Sequence, residues 1–390
     1  MNSLLIRNVT LNGEQTNIHI EGNRFKDLKA PAEIAGAEVL DGTGKAILPA
    51  LYNTHCHSAM MPMRGYGDDR PLHVWLQDWV WPYEAKMTVA EMRGAYEHAI
   101  KEMISTGSVF FNDMYFEIEQ VIDMVEKYGV RASIGITVME NHTLAQTEAK
   151  KEFVKSFKDP TGGRISLTMA PHAIYTVGKE KLISTAEFAR EHGMKIHIHL
   201  SETKKEVEDS MKDFGTTPVR YLDSIGFLGP DVIAAHCVHV DEEEWDILAE
   251  RGVTAVHCPC SNMKLSSGIF PYEKLMKSGC RITLGTDGAS SGNNLDLREA
   301  MKFAALLAKV SGNPESLPAN EVFKWATENG AAAFGIDAGV IAEGKLADCL
   351  LIDMNDIRMQ PCYNLISNFV YSADSACIST VICDGKVIKG

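Results

Sequence analysis

The chain has 390 residues, 45% hydrophobic and 23% charged, a composition typical of a folded globular protein that excludes a largely disordered chain. Its length exceeds the roughly 250–300 residues at which one hydrophobic core stops growing, so we expect one large domain and a smaller one. The 38 basic and 52 acidic side chains give a formal net charge of −14, which disfavours nucleic acid and anionic membranes as partners.

The sequence gives no signal for a targeting or membrane segment. No apolar run approaches the roughly 18 residues that a membrane-spanning helix needs, so we expect no membrane partner. The first residues contain only the short apolar run Leu4–Ile6, and no signal peptide is predicted. The cysteines number nine, which is odd, and we expect reduced thiols and a cytoplasmic location.

Strand patterns begin the chain and then continue through its middle. The first are Ser3–Leu11, Thr16–Ile20 and Glu38–Asp41. Eight further β-rich runs follow at Ala46–His57, Ser108–Tyr115, Arg131–Met139, Ile165–Ala173, Lys195–Glu202, Val232–His239, Val253–Asn262 and Arg281–Gly288. Helical patterns separate many of these runs, at Val89–Ile104, Ile118–Lys127, Lys179–Glu191, Lys204–Ser224 and Glu242–Arg251. This alternation predicts an α/β protein built on a (β/α)₈ barrel.

A doubly wound sheet is the alternative architecture, but the G-x-G-x-x-G loop typical of it is absent. Two more helices are predicted after the eighth run, at Leu297–Val310 and Glu321–Phe334, with Asn320 as the N-cap of the second. The chain ends in strand patterns again, at Ala347–Asp353 and Cys377–Val387. We therefore expect the two ends to meet in one small β domain.

Histidine or aspartate closes six of the eight predicted barrel strands. The active site of such a barrel lies at the carboxyl ends of its strands, so these side chains are expected to converge. His55 and His57 are two residues apart, hence on the same face of the first strand and about 6.6 Å apart along it. With His199 as third ligand and Asp287 as fourth protein group, they match Zn²⁺ or Fe²⁺ with one position left for water.

Glu202 is predicted to be the general acid and base, because it lies three residues after His199, just beyond the strand end. The alternative is a carboxylate that stabilises the start of a helix through its dipole. His236 is expected to hydrogen-bond the attacking water or to act as a further ligand. His197, one layer deeper than His199, is predicted to be a core histidine.

Other histidines and cysteines carry weaker signals. His239 and His257 are predicted to be structural residues or to support the residues of the site. Cys258 and Cys260 form a C-x-C pattern without a second pair, and buried thiols are the favoured interpretation. The H-E-x-x-H, Walker and H-x-E…P-C-x-x-C signatures are absent.

Taken together, the strand ends resemble those of the amidohydrolase superfamily. The motifs that carry the resemblance are Asn53–His57, His197–Glu202, Ala235–His239, Thr283–Gly288, Asn329–Ala332 and Glu343–Asp348. Within that superfamily the chain looks most like the branch of 5′-methylthioadenosine/S-adenosylhomocysteine deaminases and triazine hydrolases. Trp75-Leu76, Trp81–Glu84 and Ala170–His172 point to this branch.

The resemblance implies a distorted (β/α)₈ TIM barrel at 49–341 and a small β-sandwich formed by 1–48 and 342–390. It also implies a single metal, because the fourth strand contains no internal lysine that could bridge a second one. Residues matching Glu84 would hold the ribose hydroxyls, and those matching His172 would contact the purine ring. Without the resemblance, Glu84 would be read as an exposed helix carboxylate. Trp75, like Trp79 and Trp81, would either line the pocket or pack in the core.

The resemblance further implies a hydrolase of C–N bonds in cyclic amidines. No arginine follows the third strand until Arg164, where the branch members that accept S-adenosylhomocysteine are expected to hold its carboxylate. A neutral adenine nucleoside is therefore the expected substrate: adenosine, 5′-methylthioadenosine or 5′-deoxyadenosine, with release of ammonia. The alternatives are guanine, a pterin, cytosine or a triazine, and, from another class, a non-catalytic scaffold. Zn²⁺ is favoured over Fe²⁺, and a homodimer or homotetramer is expected.

Overall fold

The computed structural model describes residues 3–310 and 312–390, which form two eight-stranded sheets. The strands are β1 Ser3–Leu11, β2 Glu14–Glu21, β3 Arg24–Asp27, β4 Glu38–Asp41, β5 Lys45–Pro49, β6 Leu51–Cys56, β7 Ser108–Asp113, β8 Arg131–Val138, β9 Ile165–Pro171, β10 Lys195–Leu200, β11 Val232–His236, β12 Thr254–His257, β13 Arg281–Leu284, β14 Cys349–Asp353, β15 Ile378–Cys383 and β16 Lys386–Lys389.

Fifteen α-helices occur in the described residues. They are α1 Leu72–Trp75, α2 Trp81–Glu84, α3 Val89–Ser105, α4 Ile118–Tyr128, α5 Leu144–Ser156, α6 Lys179–Glu191, α7 Lys204–Phe214, α8 Pro218–Ser224, α9 Glu242–Glu250, α10 Pro259–Lys264, α11 Tyr272–Ser278, α12 Leu297–Lys309, α13 Ala319–Ala326, α14 Glu328–Ala333 and α15 Leu365–Tyr371. A π-helical turn, Leu76–Val80, joins α1 to α2. None of these helices is long and apolar enough to cross a membrane.

Strands β6 to β13 are parallel, and each pairs with the next along the chain. The last strand returns to the first, where Thr54 Oγ donates to the Leu284 carbonyl (2.8 Å) and the Asp287 N–H donates to the His55 carbonyl (3.1 Å). These contacts bring the first and last strands of a distorted barrel together. The predicted (β/α)₈ barrel is confirmed.

The second sheet combines both ends of the chain, in the order β16-β15-β14-β5-β1-β2-β3, with β4 paired to β1. Its inner face buries a separate apolar cluster that includes Ile6, Ile18, Phe25 and Leu351. The expectation that the termini meet in one β domain is therefore confirmed. The exact ranges 1–48, 49–341 and 342–390 stay predictions; residues 1, 2 and 311 within them lie outside the described residues.

The run Ala46–His57 was predicted as one strand, and this is wrong. The chain leaves the β domain after Pro49 and enters the barrel at Leu51. Pro49 has no N–H to donate to a ladder, and the Ala50 N–H instead bonds the Asp348 carbonyl at 3.2 Å. The crossing between sheets thus lies directly before the strand that carries His55.

Two predicted helices are each divided in the structure. Gly215, in the left-handed conformation (φ 71°), ends α7, so Lys204–Ser224 is two helices. Thr327 (φ −121°, ψ −88°) separates α13 from α14, so Glu321–Phe334 is also two helices. Asn320 lies inside α13 and does not cap it, because Pro318 precedes the first turn.

Candidate metal centre and active site

The four predicted metal ligands lie together at the carboxyl ends of the barrel strands. His55 lies in β6 with His57 just after it, His199 lies in β10, and Asp287 follows β13. Asp287 Oδ1 is 3.3 Å from Nε2 of both His55 and His57. His57 Nε2 is also 3.2 Å from His199 Nε2. His236 forms a second candidate ligand set with His55 and Asp287, in which one ligand atom from each residue lies within 4.8 Å of the others.

The hydrogen bonds of His57 and His199 fix which ring nitrogen of each faces the other ligand atoms. His57 Nδ1–H donates to the Met114 carbonyl (2.7 Å), and His199 Nδ1–H donates to the His172 carbonyl (2.8 Å). A carbonyl oxygen only accepts, so in each neutral ring Nε2 presents a lone pair. Two lone pairs 3.2 Å apart beside a carboxylate repel each other unless positive charge lies among them.

The pKa shifts of His57 and Asp287 also indicate that a positive charge is stabilised between these groups. Burial lowers the pKa of His57, but hydrogen bonding to Asp287 outweighs this effect and raises the pKa to about 9. Burial alone would raise the pKa of Asp287, yet His55 and His57 hold it well below its usual range. Imidazole and carboxylate donors around one point fit a divalent cation of the zinc or iron type.

Asp287 is fixed by hydroxyl groups that the sequence analysis did not identify. Ser261 Oγ donates to Asp287 Oδ2 at 2.6 Å, and Ser291 Oγ donates to the same oxygen at 3.0 Å. The Gly288 N–H donates to Oδ1 at 2.8 Å. These bonds hold the carboxylate plane and leave Oδ1 directed towards His55 and His57, which suits a metal ligand.

His197 is a core histidine, as predicted, and it also supports a metal ligand. It is fully buried, and its Nε2 lies 2.8 Å from His55 Nδ1. A hydrogen bond at that nitrogen fixes the ring orientation of His55 and directs Nε2 to the site. Apart from Asp287 Oδ1 at 3.3 Å, His55 Nε2 has no close partner among the described residues, as expected of an atom that binds a metal.

Glu202 lies beside His236 in the buried part of the site. Its Oε2 is 3.7 Å from His236 Nε2, and its Oε1 accepts a hydrogen bond from Ser267 Oγ at 3.2 Å. Burial raises the pKa of Glu202. A carboxyl group with a raised pKa takes up a proton more readily than an ordinary carboxyl group, which suits a general acid and base.

Several residues at these strand ends have a left-handed backbone. Ser201, His236 and Asp287 have φ values of 49°, 75° and 61°. Such conformations are unfavourable for residues with a side chain, and they occur at functional sites where the surroundings enforce them. Of the three, His236 and Asp287 line the cavity above the barrel.

A cavity of about 640 Å³ opens above these groups. Glu84, His172 and Trp75, the predicted substrate contacts, all line it. Trp75 is buried, whereas Glu84 and His172 are half-buried, and burial raises the pKa of Glu84. Glu84 therefore faces the cavity, which is not the exposed position that a simple helix carboxylate would have. Trp81, by contrast, is 38% exposed at the rim.

The residues with weaker signals lie around the site rather than in it. The His239 Nε2 pairs with the Ser267 carbonyl at 2.5 Å, and the His257 ring stacks on Phe270 with centroids 4.2 Å apart. Cys258 is buried, Cys260 is half-buried, and all nine cysteines are free thiols. Neither Cys258 nor Cys260 belongs to a ligand group found among the described residues.

Sequence reasoning missed the groups that fix the site residues rather than form the site. Asn262, for example, pairs with His236 Nδ1 at 2.9 Å. Ser261 and Asn262 are the last two residues of the seventh predicted run, Val253–Asn262, and their place at its end is the signal that could have identified them. No local signal points to Ser267 or Ser291, since both lie in loops.

The chain is similar to known proteins over nearly its whole length. A model of the amidohydrolase family matches residues 46–388. A 5′-deoxyadenosine deaminase of Methanosphaera stadtmanae is 42% identical to the chain, over 99% of this chain and 93% of that protein. A 5-methylthioadenosine/S-adenosylhomocysteine deaminase of Archaeoglobus fulgidus is 44% identical, over 95% and 89%. A solved adenosine deaminase of Xanthomonas campestris with bound zinc has a TM-score of 0.92 and 31% identity, over 99% and 92%.

Proposed function

The chain belongs to the amidohydrolase family, and we propose from this premise that it hydrolytically deaminates an adenine nucleoside and releases ammonia. Relatives named as 5′-deoxyadenosine and 5-methylthioadenosine/S-adenosylhomocysteine deaminases, similar over nearly the whole length, support this substrate class. The observation that carries the proposal is the convergence of a divalent-cation donor set and the buried Glu202 on one cavity.

His55, His57, His199 and Asp287 would hold one divalent metal. Zinc is proposed over iron, because nitrogen-rich donor sets suit zinc and the similar solved deaminase contains it. When bound, such a metal lowers the pKa of a water molecule from 15.7 towards about 7 and so makes a nucleophile available at neutral pH.

Three side chains of the protein would then carry out the proton transfers and the orientation of water. Glu202 takes a proton from the attacking water and delivers it to the ring nitrogen next to the amine-bearing carbon, which makes that carbon electrophilic. Asp287 and His236 orient the water for attack on this carbon. The second water proton then passes to the amine, the C–N bond breaks, ammonia leaves, and the purine carbon keeps the oxygen of the water as a carbonyl. The closeness of His236 Nε2 to Glu202 (3.7 Å) supports their joint action.

Glu84, His172 and Trp75 would bind the nucleoside. Glu84 would accept hydrogen bonds from the ribose hydroxyls, His172 would contact the purine, and Trp75 would form an apolar wall. The His172 ring lies beside His199, with centroids 4.7 Å apart, so a base in contact with it would lie next to the metal ligands.

A neutral 5′ group is proposed for the substrate. Among its described lining residues, the cavity has no lysine or arginine but has four carboxylates: Glu84, Glu140, Glu202 and Asp287. An anionic tail would therefore meet negative charge and find no cation to pair with inside the cavity. Adenosine, 5′-methylthioadenosine and 5′-deoxyadenosine meet this condition, whereas S-adenosylhomocysteine carries a carboxylate.

An ammonia-release assay tests the proposal. The purified protein is compared on adenosine, 5′-methylthioadenosine, 5′-deoxyadenosine, S-adenosylhomocysteine, guanine, cytosine and pterins. We expect the neutral adenine nucleosides to give the highest kcat/KM, and Glu202→Gln to bind metal normally while turnover falls by about 10²–10⁴-fold. Highest activity on guanine or cytosine would overturn the substrate class. A metal-free, inactive protein would instead indicate a scaffold. The homo-oligomeric state and cytoplasmic location stay predictions.

A further inference from the structure

Helix α7, which begins directly after Glu202, starts differently from the helices that carry a capping box. In α3 and α9 the third-position glutamate reaches back to the N–H of the capping residue: Glu91 to Thr88 at 2.8 Å, and Glu244 to Asp241 at 2.9 Å. In α7 the cap is Thr203 and the third-position residue is Glu206. The Glu206 side chain does not bond the Thr203 N–H and instead accepts hydrogen bonds from the N–H groups of Ser201 and Glu202.

Both oxygens of Glu206 hold the backbone that carries Glu202. The Ser201 N–H donates to Oε1 and the Glu202 N–H donates to Oε2, each at 2.8 Å. Glu206 is only 6% exposed, so this carboxylate is directed inward and these two N–H groups are its partners. A carboxylate with two oxygens and two converging N–H donors is a matched pair of charge-assisted hydrogen bonds.

The carbonyl group of Ser201, in the same backbone segment, is also fixed by hydrogen bonds. The Ser201 carbonyl accepts from the N–H groups of Val238 (3.1 Å) and His239 (2.9 Å). Ser201 has the unfavourable left-handed φ of 49°, which persists only because these bonds enforce it. Without the carboxylate of Glu206, two buried N–H groups would lose their acceptors and the turn would lose one of its two supports.

We propose that Glu206 is a positioning residue that fixes Glu202 in its reactive orientation through its backbone. This inference rests on the proposed role of Glu202 in proton transfer. Glu206 itself does not line the cavity that holds the reacting atoms, so its effect passes through Glu202. Ionised Glu206 offers one oxygen to each N–H, whereas a glutamine offers one acceptor and turns an NH₂ group towards the second N–H.

The test compares Glu206→Gln with a matched control, Glu244→Gln. Glu244 is also a buried third-position glutamate, 2% exposed, but it bonds Asp241 in another helix. We expect Glu206→Gln to lower kcat about 10- to 100-fold, with KM and bound metal changed less than about twofold. The control should keep kcat. Equal kcat values for both variants would overturn the proposal, as would a loss of Glu206→Gln activity explained entirely by lost metal.

A double variant separates positioning from general damage. If Glu206 acts through the Glu202 carboxylate, Glu202→Gln/Glu206→Gln should be no slower than Glu202→Gln, whereas a merely structural role gives multiplied losses. If Glu206→Gln does not fold, Glu206→Asp is measured instead, since it keeps the charge but is one methylene shorter. We then expect an intermediate loss of kcat at unchanged KM, and a wild-type kcat would contradict the proposal.

The outcomes for the two proposals are distinguishable. Full activity of Glu202→Gln would contradict the proposed mechanism itself. Normal activity of Glu206→Gln beside an inactive Glu202→Gln would contradict only the positioning role.

Discussion

Arg131 in the barrel and Asp348 at the edge of the β domain form a buried ion pair, with Arg131 Nε 2.8 Å from Asp348 Oδ2. The side chains are 4% and 0% exposed. Arg131 also reaches Asp384 at 2.7 Å, and Tyr52 OH donates to Asp348 at 2.6 Å. A single network thus connects the barrel strand β8 with the residue before β14 and the residue after β15 in the other sheet.

Substituting Arg131→Met is expected to lower the free energy of unfolding by about 3–5 kcal/mol, because Asp348 would remain as an unpaired buried charge. Chemical denaturation measures this loss. Arg93→Met is the control, since the Arg93–Asp123 pair is about half exposed and should contribute less than about 1 kcal/mol. Equal losses in the two variants would contradict the role assigned to the buried network.

Removal of the metal by a chelator is expected to abolish activity and lower the thermal midpoint, and Zn²⁺ should restore both. The physical reason is the approach of His57 Nε2 to His199 Nε2 and to Asp287 Oδ1, which is repulsive without positive charge. Because metal binding favours the folded state, the midpoint should rise with free Zn²⁺ concentration. Elemental analysis should find one metal per chain in the wild type and none in His57→Ala. An active, thermally unchanged protein without metal would refute the site.

Glu84→Gln is expected to raise KM for adenosine about 10-fold or more, because a charge-assisted hydrogen bond to the ribose is weakened. With 2′,3′-dideoxyadenosine, which lacks those hydroxyls, the wild type and the variant should have similar KM values. Glu140→Gln is the control, since Glu140 also lines the cavity but bonds the Gly178 N–H at 2.8 Å. Equal effects of Glu84→Gln on both nucleosides would show that Glu84 does not bind the ribose.

Glu206 is expected to make stability depend on pH. Burial raises the pKa of Glu206 to about 7, against the opposing effect of its two N–H bonds, from an ordinary value of 4.5. The folded protein therefore binds this proton more tightly than the unfolded chain, and the stabilisation present below pH 4.5 is lost as pH rises through about 7.

The measurement is the difference in unfolding free energy between wild type and Glu206→Gln across this range. Since the glutamine cannot titrate, the difference, wild type minus variant, should fall by about 3 kcal/mol between pH 4.5 and 8. Metal-loaded protein is used for both, so that ligand protonation affects the two curves alike. Parallel curves would show that Glu206 titrates at its ordinary value.

The barrel could be predicted from the sequence because its signals are local. Short apolar runs alternate with helical patterns, and a histidine or aspartate at the end of a strand needs no long-range information to be noticed. The divided elements were missed for a different reason. Gly215 and Thr327 break helices whose apolar pattern continues across them, and the crossing at Ala50 depends on a bond to Asp348, almost three hundred residues away in the chain.

The sequence by itself determined the architecture and the residue types at the strand ends, including His55, His199 and Asp287, because strand period and strand end are properties of neighbouring residues. Only the tertiary structure decided which atoms of those residues face one another. His57 presents Nε2 because Met114 takes its other nitrogen, and Glu206 turns to Ser201 and Glu202 instead of capping its own helix. Such choices follow from how strands and loops pack together in space, and a one-dimensional pattern carries no information on them.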